Sequence, residues 1–117
     1  MNTDQETTLC QAIETGLSAQ FHQLPELTSA LCILGLDNAV IALKQNFGFA
    51  KNETVLSRPA IDGVVAHVVE VGMEHIGKMD GLTLKDYLAA VNKIRKSLIL
   101  HSDFGPRAYY DFIKNYV

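Results

Sequence analysis

The sequence predicts a single all-α domain, residues 1–117, built as an irregular bundle of about five helices. Three observations point there. Apolar residues recur at three- and four-residue spacing along most of the chain. Capping residues, early prolines and glycine stops divide that pattern into helix-sized pieces. A chain of 117 residues is the size of one domain and can bury a core without staples.

The first piece starts at Thr3 or Asp4, either of which can act as N-cap, and runs to about His22. Leu9, Ala12, Ile13, Gly16, Leu17 and Leu24 share its apolar face, with Cys10 and Phe21 at the edge and Gln20 interrupting it. Pro25 suits an early helical position for the next element. The segment from Glu26 to Phe47 is apolar on more than one side, the mark of a central element. Its two halves point their apolar residues in different directions, with Gly35 and Asp37 at the change. That predicts a kink, or two short helices with Asp37 capping the second. Gly48 then ends the helix and residues 49–57 form a loop.

Ser57 and Pro59 announce a third piece, Ala60 to Lys78. Stepping about 100° per residue places Ile61, Val64, Val65, Val68, Val69, Val71, Gly72, His75, Ile76 and Met79 on one continuous face. His67, Glu70, Glu74 and Lys78 gather on the opposite face. The valines also suit a strand around 61–71, with Asp62-Gly63 as a hairpin turn, which would make the fold α+β. The long continuous face favours the helix. Asp80-Gly81 breaks the chain, and Thr83 to Asp86 resembles a capping box with Asp in the usual Glu position. Leu84, Tyr87, Leu88, Val91, Ile94, Leu98 and Ile99 then form the clearest amphipathic helix. Pro106 can open a last helix, docked through Tyr109, Phe112, Ile113 and Tyr116.

Composition narrows the function. The hydrophobic fraction is 48%, with a mean hydropathy of +0.10. A small domain has difficulty hiding that much apolar surface, so at least a dimer, or a protein partner, is expected. The net charge of −3 argues against nucleic acid. Charge is uneven: residues 1–50 hold one Lys against five acids, and residues 84–117 hold six Lys and Arg against three Asp. Such an acidic front and basic tail can support head-to-tail association, although ordinary scatter of solvated charges gives the same count. The N-terminus lacks the pattern of a signal peptide, and the apolar run from Leu27 to Leu43 is short for a span and carries Asp37 and Asn38. A cytoplasmic protein without a membrane partner is the expectation. Cys10 and Cys32 fit buried, reduced thiols and form no C-x-x-C.

No nucleophile elbow, phosphate loop, dinucleotide fingerprint or H-E-x-x-H motif is present, so no catalytic residue and no cofactor are assigned. The enzyme question leans to no. The leading function is a non-catalytic interaction module that self-associates or binds a protein. The alternative is a helical bundle that binds a small ligand or a metal. His67, Glu70 and Glu74 lie three and four residues apart and can share a cation, yet ordinary solvated ion pairing with Lys78 explains them too. His75 sits mid-face among apolar residues, as a core histidine bonded to a carbonyl or as a pocket histidine. Arg95 lies near the centre of the best apolar face. It must snorkel, pair with an acid, or meet a ligand or partner there. Tyr110 points away from the docking face of the last helix, beside Arg107, Asp111 and Lys114, and completes the candidate ligand set with His75 and Arg95.

Overall fold

The computed structural model describes residues 2–23, 29–46 and 59–101. Among them the chain is all-α, with four helices: α1 (Thr3–Gln23), α2 (Ser29–Asn46), α3 (Pro59–His75) and α4 (Leu84–His101). The described residues contain no strand, so the valine-rich segment 61–71 is helical and the α+β alternative falls away. Burial explains why propensity lost: Ile61, Val64, Val65, Val68, Val69 and Val71 are all buried on the predicted face. The loop expected at 49–57, the Gly48 cap and the last helix after Pro106 lie outside the described residues.

Local chemistry sets the helix ends. Asn2, rather than Thr3 or Asp4, caps α1. Its Oδ1 accepts from the Gln5 N–H at 2.8 Å, and its own N–H donates to Gln5 Oε1 at 3.1 Å, a reciprocal capping box. Pro59 occupies the first position of α3, where its missing N–H costs nothing. That helix stops at His75 instead of reaching Lys78, because Gly77 takes up a left-handed φ of 89°. The Gln5 side-chain amide donates to the Asp80 carbonyl at 2.6 Å, fastening the start of α1 to the α3–α4 connection. Thr83 and Asp86 form the anticipated box at the head of α4, each backbone N–H donating to the other's side-chain oxygen at 3.3 Å.

α2 is one continuous helix, without the break expected at Gly35 and Asp37. Residues from Ala30 through Leu36 are buried, as are Asn38, Ala39, Ala42 and Leu43. It packs most extensively on α3 and next on α4. Gly35 is a packing glycine: a Cβ built there would lie 2.6 Å from Val64 Cβ, so the two helices can meet only where residue 35 has no side chain. α1 covers the other flank of α3 and also touches α4. Gly16 lies against His67 and Gln20 against Gly63, a pairing in which α1 and α3 run in opposite directions.

The core draws on all four helices, with Leu9, Ile13, Ile33, Leu43, Val68 and Tyr87 among its fully buried members. Tyr87 is the largest. Its hydroxyl donates to the Val68 carbonyl, satisfying the one polar atom it brings inside. Burial pushes its pKa well above the ordinary tyrosine value.

Candidate functional site

α3 and α4 place the sequence-derived candidates in separate surroundings. His75 closes α3, half-buried, with Nδ1 2.9 Å from the Val71 carbonyl one turn back. A carbonyl only accepts, so Nδ1 carries the proton and donates. This is the satisfied arrangement anticipated for a histidine on an apolar face.

Arg95 leaves the apolar face of α4 at its edge and turns toward α2. Its Nε lies 3.1 Å from Asp37 Oδ1, with the two side chains 26% and 30% exposed. Asp37 therefore serves as a partner across α2 and α4, rather than as the N-cap of a second short helix. No described cavity brings His75 and Arg95 together. Tyr110 lies outside the described residues.

The His67, Glu70 and Glu74 set divides. Glu70 and Glu74 are exposed on the outer side of α3. His67 is half-buried, and its Nε2 is fully enclosed against Gly16 of α1. Among the described residues no three His, Cys, Asp or Glu side chains are placed to hold a metal ion. Gln20 lies one turn along α1 from Gly16 and donates to the Gly63 carbonyl at 2.8 Å, which accounts for a glutamine in an apolar face. Gln20 Oε1, His67 Nε2 and Asn38 Nδ2 are buried without a hydrogen-bond partner among the described residues.

Between α1 and α4 runs a groove of about 270 Å³, lined by Glu6, Cys10, Glu14, Lys93 and Ser97 among others. Lys93 Nζ donates to Glu6 within it. Burial raises the Cys10 pKa, with nearby Lys93 opposing the shift and Glu14 and Glu6 reinforcing it. Cys32 is buried and pushed up to about 12 by desolvation. Both thiols are free and protonated at neutral pH, hence poor nucleophiles. This groove holds hydrogen-bonding side chains but no activated nucleophile beside a base.

A different surface joins apolar and charged chemistry. The outer side of α2 and α4 carries an open groove of about 600 Å³, lined by Asp37, Val40, Ile41, Lys44, Asn92, Arg95 and Lys96. A second open groove of about 590 Å³ shares Asn92 and Lys96 and extends to Ala89, Lys93, Ser97 and Leu100. Ile41 is 40% exposed and Leu100 72% exposed on this face. Sequence reasoning missed Ile41, Lys44, Lys96 and Leu100. The available signal was the basic cluster Lys93, Arg95 and Lys96 in a chain of net charge −3.

The chain matches no family model, no curated protein sequence and no solved structure.

Proposed function

We propose that the protein is a non-catalytic helical interaction module, which self-associates or binds a protein partner through the outer face of α2 and α4. The observation that carries this reading is the adjoining pair of open grooves on that face. There Ile41 and Leu100 stay exposed amid Lys44, Arg95 and Lys96. Singly exposed apolar residues are ordinary. Two on one continuous, positively charged concave face form a surface suited to a partner. Free cysteines at 10 and 32 suit a reducing, cytoplasmic setting.

The small-ligand or metal-binding alternative has less behind it. His75 is bonded to its own helix, Arg95 is engaged with Asp37, and His67 faces α1 rather than Glu70 and Glu74. Native mass spectrometry of the untagged protein separates the two readings, because it reports copy number, metal and retained ligand together. Oligomers free of any small molecule support the interaction module. A monomer carrying a stoichiometric metal or ligand overturns it.

A further inference from the structure

We infer that the occupant of the α2–α4 face is a second copy of this chain, presenting the outer ridge of its α3. The inference rests on the interaction reading above and names the partner. The ridge is formed by Glu70, Met73 and Glu74, all exposed, with Met73 49% exposed beside the two carboxylates. No Lys or Arg occurs anywhere in α3, so nothing on that helix neutralises them; Lys78 lies beyond its end, past Gly77.

The groove is the chemical inverse. Lys44, Arg95 and Lys96 line it against one carboxylate, Asp37, and Ile41 lies exposed among them. Each surface thus has an exposed apolar side chain bordered by charge, negative on one and positive on the other. Opposite charges across an interface set register and suppress wrong pairings. Groove against groove would set lysines against lysines, and ridge against ridge would oppose glutamates. Only ridge in groove matches in sign. A helix seated between two others is also ordinary helix packing, and a methionine is flexible enough to settle beside an isoleucine. The contact joins two different faces and is therefore heterologous: it builds a ring or a chain of copies unless the same contact closes twice within a pair.

Two variants test this. Glu70→Lys with Glu74→Lys reverses the ridge, and Lys44→Glu with Lys96→Glu reverses the groove. All four positions are exposed, and thermal melts check that each variant folds. In sedimentation velocity at low salt, the unaltered chain should associate with rising concentration and dissociate as salt increases. Each variant alone should associate at least about tenfold more weakly. Their equimolar mixture should regain association, since each variant's altered face then meets its complement on the other. Association that ignores both reversals, or a mixture that fails to recover, overturns ridge-in-groove docking and leaves the interaction module standing. A chain that stays monomeric at every concentration overturns the second copy as occupant.

Discussion

The imidazole of His67 fills the space that a side chain at Gly16 would need: a Cβ built at residue 16 falls 1.8 Å from Nε2. Gly16→Ala gains about 1 kcal/mol of helix propensity but forces the ring aside, and overpacking of this kind costs about 1–3 kcal/mol. A net loss of stability is expected. Removing the ring as well, in Gly16→Ala with His67→Ala, should return at least about 1 kcal/mol relative to the sum of the single changes. A double-mutant cycle by urea denaturation measures this coupling; strict additivity would show that the ring moves away freely.

Two other helical glycines should respond with opposite signs. At Gly35 the nearest atom to an added Cβ is the Val64 Cβ itself, which cannot swing away. Gly35→Ala should destabilise by about 1–3 kcal/mol. At Gly63 the nearest atom is the end of the Gln20 side chain, 3.3 Å away, which can adjust. Gly63→Ala should be neutral or stabilising by up to about 1 kcal/mol. Chemical denaturation of the two variants side by side checks the pair.

Arg95→Met should cost less than about 1 kcal/mol of stability, because its ion pair with Asp37 is solvent-exposed enough to be screened. The loss should shrink further at high salt. A drop of about 3–5 kcal/mol in thermal or urea melts would mean that the pair behaves as a buried one.

Stability should decline under alkaline conditions, in a sense fixed by Cys32. Burial holds its thiol at about 12 against an ordinary 9.0, so the folded chain retains a proton that the unfolded chain releases. The thiol's contribution is fully present below pH 9.0 and is lost as pH rises toward about 12. Tyr87, also raised by burial, steepens the decline at the upper end. Cys32→Val should flatten the slope by at most about 1.4 kcal/mol per pH unit, measured by urea titrations across the alkaline range.

Much of the architecture is legible in the chain because it is written in periodicity. The face of α3 needed only helical spacing: every buried residue of the helix except Ala60 lies on the predicted face, whose His75, Ile76 and Met79 are half-buried toward its end. The Thr83 box needed only local chemistry. Gly35 misled because a glycine that admits a neighbouring helix looks the same in sequence as one that ends a helix. Asp37 misled likewise: a carboxylate after a glycine reads as a cap until Arg95, 58 positions later, is placed beside it. The inward turn of His67 was hidden for a related reason. The periodicity of α3 records where α2 lies, and only the packed structure shows that α1 covers a neighbouring flank at Gly63 and His67. The α2–α4 groove depends on two helices far apart in the chain, so no single stretch of sequence displays it.

The deep enclosure of α2 has a consequence for how the chain is made. Its covering helices, α3 and α4, both follow it in sequence, so a growing chain emerges from the ribosome with this apolar helix complete and its shelter not yet synthesised. Over that interval Leu31, Ile33, Leu36 and Leu43 are available to any sticky neighbour, and chaperone holding is the natural remedy. Truncation before α4 should therefore yield insoluble protein rather than a smaller soluble one.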